Sequence, residues 1–136
     1  EAAGISVDHG ILVDEHLETS VPGIFAAGDV ARWREAGSGR TNRVEHWVVA
    51  ERQGQVVAGN MLGARSRFED APFFWSAHYD VTIRYVGHAP SWDAIVIDGD
   101  IAACDCLVSY WKDGKRAAVA SIGRDAEALR CAHGLG

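Results

Sequence analysis

The residues best placed for chemistry lie in Thr19-Ser20-Val21-Pro22-Gly23-Ile24-Phe25-Ala26-Ala27-Gly28-Asp29. Val21-Pro22-Gly23 is turn chemistry, proline fixing φ and glycine supplying freedom. Residues 24–27 form a continuous apolar run, which predicts a short strand covered on both faces. Gly28 and Asp29 then fall at the end of that strand. A glycine there lets a ligand approach closely, because no Cβ stands in the way. A carboxylate beside it accepts hydrogen bonds from hydroxyls at charge-assisted strength. Two readings follow from these residues alone: a ligand for a hydroxyl-bearing molecule, or a plain turn or helix N-cap. A second pair, Gly99-Asp100, also follows an apolar run, Ile95-Val96-Ile97, but lacks the preceding Thr and the Phe-Ala-Ala. It is expected to be a hairpin turn.

Two further segments carry candidate chemistry. From residue 45 to residue 62 the pattern is helical, with Trp47, Val48, Val49, Ala50, Val56, Val57, Ala58, Met61 and Leu62 giving a broad apolar face and Glu51, Arg52 and Gln55 outside it. The first turn of such a helix leaves backbone N–H groups free and carries the positive end of the dipole, so it suits negative charge. Gly63 is the expected stop. Gly54 and Gly59 lie inside the helix, where glycine costs about 1 kcal/mol against alanine; they signal either close approach of a neighbour or simple tolerance. The other segment is Pro72-Phe73-Phe74-Trp75-Ser76. Three consecutive aromatics cover something apolar, by default a domain interface.

The elements that position these residues divide at a charged connector over residues 66–72. Before it lie a short apolar strand at Gly10-Ile11-Leu12-Val13-Asp14, an extended piece at Leu17-Glu18-Thr19-Ser20, the apolar run and the helix, with a polar, glycine-rich loop over residues 34–42. Beyond it the period changes to two, with strands at residues 80–87, 94–98, 106–111 and 116–122 and a terminal helix at 124–131. Asp113-Gly114 between two such runs is a strong hairpin signal. The expected class is α+β: residues 1–65 as the end of an α/β domain, and residues 66–136 as a small antiparallel sheet with a helix.

Composition bounds the rest. The chain has 136 residues and a net charge of −6, which argues against nucleic acid. Between Arg32 and Arg67 seven Arg stand against three Glu, a balance of +4, while the remainder holds six basic and sixteen acidic residues, a balance of −10. Arg32, Arg34, Arg40, Arg43, Arg52, Arg65 and Arg67 are either a surface for an acidic partner or a solvated face with local salt bridges. Cys104, Cys106 and Cys131 have neither redox nor zinc spacing, which points to packing or surface thiols in a reducing cytosol. His9, His16, His78, His88 and His133 show no metal spacing. No apolar run approaches the roughly 20 residues needed to span a bilayer, no signal peptide is visible, and the opening Glu1-Ala2-Ala3-Gly4-Ile5 looks like the middle of a domain.

The pattern T-x4-[IV]-F-A-x-G-D at residues 19–29 resembles the second flavin-binding fingerprint of the FAD-dependent pyridine nucleotide-disulfide oxidoreductases. The run E-H-W-x-x-A-x-x-Q-G at residues 45–54 and P-F-F-W-S at residues 72–76 resemble the ferredoxin-reductase branch of that superfamily, which includes apoptosis-inducing-factor-like proteins. Ile83 to Ala89 and Trp92 to Ile95 match further stretches of it. The resemblance covers essentially the whole chain. It implies that Asp29, beside Gly28, accepts a hydrogen bond from a ribityl hydroxyl of FAD. It implies that Trp47 offers its backbone N–H to the flavin, that Glu45 and His46 lie near the flavin and nicotinamide, and that Trp75 lies beside the isoalloxazine. The helix start would then stabilise the negative charge that reduced flavin develops along its N1 and C2=O edge. The parent would take a hydride from NAD(P)H onto FAD and pass electrons to a ferredoxin, rubredoxin or Rieske-type iron–sulfur protein, with the Arg-rich stretch docking an acidic carrier. One departure matters. No G-x-G-x-x-G is present, and Gly37-Ser38-Gly39 follows no strand. The first pyrophosphate site and the NAD(P)H domain are missing, so this chain is expected to bind FAD weakly or not at all and to catalyse nothing alone. The alternative is a non-catalytic C-terminal module for dimerisation or partner contact.

Overall fold

The structure is a computed structural model that describes residues 3–34, 41–132 and 135. Glu1, Gly37-Ser38-Gly39, Arg40 and His133 lie outside the described residues. The chain forms two compact units, Glu1–Asp70 and Ala71–Gly136.

In the first unit, β1 (Ile11–Val13) pairs in parallel with β2 (Ala31–Arg34), and β2 pairs antiparallel with β3 (Thr41–Asn42). Strand β2 falls where no strand was expected. Its signal is a period of two, with Ala31 and Trp33 buried and Arg32 and Arg34 turned outward. Residues 24–27, expected to be a strand covered on both faces, form only an isolated bridge between Glu18 and Phe25. The reason lies in their hydrogen bonds. Thr19 N–H donates to Ile24 C=O (2.8 Å) and Ala26 N–H to Leu17 C=O (3.1 Å), so one side of the run is paired. Among the described residues no strand flanks its other side, and Ile24 is exposed.

The core of this unit gathers Val13, Leu17, Ala26, Ala31, Trp33, Val44, Val49 and Phe68. Trp33 and Phe68 meet edge to face at 5.5 Å. Full burial of each such side chain contributes about 1.5–3 kcal/mol. Phe68 also donates its N–H to Glu15 C=O at 2.8 Å. Residues 66–70, read as connector, therefore pack with the first unit.

Helix α1 (Trp47–Met61) has His46 as its N-cap, so Glu45 precedes the helix instead of starting it. Gly63, at φ +92, ends it: Ala64 N–H bonds Gly59 C=O (3.0 Å) and Gly63 N–H bonds Asn60 C=O (2.9 Å), the Schellman pattern. The buried seam is narrower than the apolar face suggests. Val49, Gln53 and Asn60 are buried and Val56 and Val57 pack on the core, at spacings of three and four, while Trp47, Met61 and Leu62 are exposed. A Cβ added at Gly54 would meet nothing within 4 Å, and one at Gly59 only Ala64 Cβ at 3.6 Å, so neither glycine serves a close approach among the described residues.

The second unit is a five-stranded antiparallel sheet in the order β4-β5-β8-β7-β6. The strands are β4 (Phe73–His78), β5 (Val81–Gly87), β6 (Ala94–Asp100), β7 (Asp105–Lys112) and β8 (Lys115–Ile122), and α2 (Asp125–Ala132) packs on one face of the sheet. Ala128 of α2 joins Val86 and Val119 in the core. The expected hairpin at Asp113-Gly114 is present, with φ of 50° and 75°, as a type I′ turn requires. The one expected at Gly99-Asp100 falls later. Strand β6 continues until Asp100 pairs with Asp105, and the turn occupies residues 101–104. The Asp100 carboxylate starts that turn by accepting from Ala102 N–H at 2.8 Å. The Phe-Phe-Trp segment, expected to cover something apolar, is edge strand β4. Phe73 faces the core beneath α2, and Phe74 stacks on Tyr85 at 5.4 Å.

Candidate functional site

Gly28–Val30 forms a 3-10 turn that opens directly into β2. The Gly-Asp pair thus sits at the start of a strand, not at the end of one. Gly28 is buried at φ +76, and an added Cβ would lie 3.2 Å from Ala50 Cβ, so both the backbone angle and the packing against α1 require glycine. Gly28 N–H donates to Gln53 Oε1 at 2.8 Å in a fully buried bond. Asp29 C=O accepts from Arg43 Nη1 at 3.0 Å. The same guanidinium pairs with Glu45 Oε1 at 2.5 Å. Asp29 itself is exposed.

The start of α1 completes this corner. His46 makes no side-chain cap hydrogen bond, and the first turn carries no acidic residue. No acidic residue within that turn offsets the positive end of the dipole, and Glu45 stands one residue before the cap. Trp47 is 61% exposed. Gly28, Asp29, Glu45, His46 and Trp47 thus belong to one corner of the first unit, tied together by Arg43, Gln53 and the contact of Gly28 with Ala50. Trp75 belongs to β4 of the second unit, where it is 44% exposed, pairs across the strand with Arg84 and lies 5.9 Å from the Phe73 ring.

Sequence reasoning did not single out Asn60, and it met Gln53 only as the glutamine of the motif at residues 45–54, with no role assigned to it. Gln53 is fully buried, and Asn60 donates to His16 C=O (2.7 Å) and Ser66 C=O (2.9 Å) while accepting from Ser66 N–H (2.7 Å). Their signal is position: counting from Val49, both fall on the inward stripe of α1. An open depression of about 480 Å³ at the other end of α1, bordered by Glu18, Phe25, Asn60 and Arg65, contains none of the expected site residues.

A flavin fits the corner around Asp29 in two respects. Gln53 Nε2 is buried without a hydrogen-bond partner among the described residues, which costs roughly 1–3 kcal/mol unless an oxygen answers it. The corner also offers an exposed carboxylate acceptor beside a helix N-terminus, the polarity needed by a hydroxylated chain leading to an electron-rich ring. The arginine stretch, by contrast, is largely neutralised in place: Arg32 pairs with Asp8, Arg43 with Glu45, Arg52 with Asp70 and Arg67 with Glu15.

Two family models match the chain, in two separate pieces. The family model for pyridine nucleotide-disulphide oxidoreductases matches residues 1–54, and that for the reductase C-terminal domain matches residues 73–134. Putidaredoxin reductase of Pseudomonas putida is 36% identical over 126 residues, covering 93% of this chain and 30% of that protein. The ferredoxin–NAD(+) reductase component of the anthranilate 1,2-dioxygenase system of Burkholderia cepacia is 38% identical over 133 residues, covering 96% of this chain and 33% of that protein. Among solved structures, the covalent putidaredoxin reductase–putidaredoxin complex superposes with a TM-score of 0.88 at 35% identity, covering 97% of this chain and 32% of that one. The chain spans about a third of the length of these relatives.

Proposed function

Because this chain belongs to the FAD-dependent pyridine nucleotide-disulphide oxidoreductases, in their ferredoxin-reductase branch, we propose that it is the ribityl- and ring-facing part of a flavoprotein that passes electrons from NAD(P)H to a small iron–sulfur carrier. The carrier is a ferredoxin, rubredoxin or Rieske-type protein. The observation that carries this reading is the Gly28-Asp29 turn, seated on α1 beside an N-terminus that no acidic side chain of its own first turn answers. When bound, FAD supplies the redox chemistry, accepting a hydride and releasing electrons singly.

The residues of this chain hold and tune the flavin. Asp29 accepts from a ribityl hydroxyl and fixes the depth of the chain. The start of α1, with the Trp47 N–H, favours negative charge on the near edge of the ring. Glu45 and His46 border that edge, and for Trp75 of the second unit only the family resemblance supports a place beside the ring. Without the first pyrophosphate site the chain alone binds FAD weakly and has no activity.

The test is a flavin titration of this chain and of the full-length flavoprotein. The full-length protein should bind FAD tightly, and Asp29→Ala should weaken it by about tenfold or more, the value of one charge-assisted hydrogen bond. Unchanged affinity would remove Asp29 from the site. Micromolar binding by the 136-residue chain alone would give it an enzymatic role of its own.

The outer edge of β6 favours a second reading. Ile95, Val96 and Ile97 are all exposed there, which suits a C-terminal sheet that makes partner or homodimer contacts without catalysis. An acidic carrier docking through arginines has fewer candidates than the sequence offers, since Arg43 is occupied by Glu45 and the Asp29 carbonyl. Charge reversal at Arg40 in the full-length enzyme should slow reduction of an acidic carrier in a salt-sensitive way, and an unchanged rate would remove that docking site.

A further inference from the structure

We propose that Gln53 and Arg43 are positioning residues that grip the Gly28-Asp29 turn from opposite ends and so hold the Asp29 carboxylate on the ribityl chain of the flavin. This rests on the flavin-site reading above and extends it to two residues to which that reading gives no part in flavin binding. Two backbone groups of the turn are answered by side chains from remote segments: Gly28 N–H by Gln53 Oε1 (2.8 Å) and Asp29 C=O by Arg43 Nη1 (3.0 Å). The turn's own capping bond is from Ala31 N–H to Gly28 C=O. A 3-10 turn of three residues has poor internal hydrogen-bond geometry, so outside groups decide its conformation.

The two grips also couple the turn to the start of α1. Gln53 is a residue of α1, fully buried, on the same stripe as Val49. Arg43 Nη1 meets both the Asp29 carbonyl and the carboxylate of Glu45, next to the N-cap. The separation between the Asp29 acceptor and the helix N-terminus is thereby set by two side chains. Burial of Gln53 is not explained by packing, because a leucine would fill a core position without a stranded amide. One half of the Gln53 amide is used on Gly28, and the other half, Nε2, has no partner among the described residues.

The experiment uses the full-length flavoprotein with Gln53→Leu, Gln53→Glu and Arg43→Gln, read by FAD affinity, the visible flavin spectrum and the melting temperature of the apoprotein. Gln53→Leu should weaken FAD binding by about tenfold and shift the flavin bands, as loss of one buried hydrogen bond implies. Gln53→Glu, which keeps the acceptor oxygen, should recover most of the affinity. Arg43→Gln should weaken binding severalfold. Gln53→Leu strands the buried Gly28 N–H and should also lower the apoprotein melting temperature, whereas Gln53→Glu and the more exposed Arg43→Gln should lower it less. FAD affinity within twofold of the parent for both Gln53→Leu and Arg43→Gln would overturn the proposal. So would affinity losses that track the melting temperature and are not recovered by Gln53→Glu, which would make both residues merely structural. If the parent protein itself binds no FAD, the flavin reading fails and the clamp falls with it, an outcome separate from parent binding that the variants leave untouched.

Discussion

In the second unit, strands of six to eight residues answer one another's peptide groups along their length. In the first unit the longest strand among the described residues has four residues, and many loop peptides are answered by side chains instead. Asn60 holds three backbone groups of His16 and Ser66, Gln53 holds Gly28, Arg43 holds Asp29, and Asp14 accepts from the backbone of His16 and Glu18. The second unit uses its charged side chains mainly at strand and helix ends, where Arg124 meets Asp98 and Asp105, Lys112 meets Asp93, and Arg84 meets Asp125. A ladder is redundant, since each bond has neighbours that keep its partners in place. A loop held by one side chain is not. The unit that carries the candidate site therefore depends on individual residues, while the other works as a scaffold.

The largest expected effect comes from Asn60→Ala, which strands three backbone partners and should destabilise the first unit by about 3 kcal/mol. Hydrogen exchange should quicken across α1 and leave β7 and β8 unchanged; equal acceleration in both units would break the contrast. Val119→Ala empties part of the second core and should cost about 2 kcal/mol in that unit alone, read as faster exchange in β5 and β8 with α1 unaffected. Gly54→Ala should act in the opposite direction. Its Cβ meets no atom within 4 Å, so the first unit should gain about 1 kcal/mol in denaturant titration, and a loss would reveal a neighbour at that face.

The smallest effect is a pH dependence confined to the second unit. Asp93 is held below the usual carboxylate range chiefly by the Asp113 backbone N–H and then by Lys112, and Asp105 is held low by Arg124. The folded chain then binds fewer protons than the unfolded one near their ordinary value of 3.8. Their stabilisation is present above that pH and is lost as the pH falls through the lower folded values. Asp93→Asn should flatten the acid limb of unfolding followed in β7, and an unchanged limb would remove Asp93 as a contributor.

Much of this organisation is legible in the sequence. The second unit is written in local signals, alternation and the Asp113-Gly114 turn, and its ladder follows from them. The Gly28-Asp29 pair and the start of α1 were also visible, one from its turn and apolar run and the other from its period. What the residues did not disclose is long-range and polar. Nothing near Gln53 in the chain announces a bond to a peptide group 25 residues away, and an apolar count over α1 places Trp47, Met61 and Leu62 inward when they lie outward. The run at residues 24–27 misled for the opposite reason: its composition suits a central strand, but one of the two neighbours such a strand needs is not among the described residues. Gly99-Asp100 was misplaced because continued pairing outweighed the local turn preference of a glycine and an aspartate.

Strand β6 ends the sheet with a border that pairs with nothing among the described residues. Folded proteins usually guard such a border with lysine, proline or a bulge. Residues 94–97, Ala-Ile-Val-Ile, have none of these, and the nearest charges in the chain, Asp93 and Asp98, stand one at each end of the run. The border is a template for another strand, so self-association of the purified chain should start there, favour antiparallel pairing of two copies, and grow with concentration and with salt that screens those two aspartates.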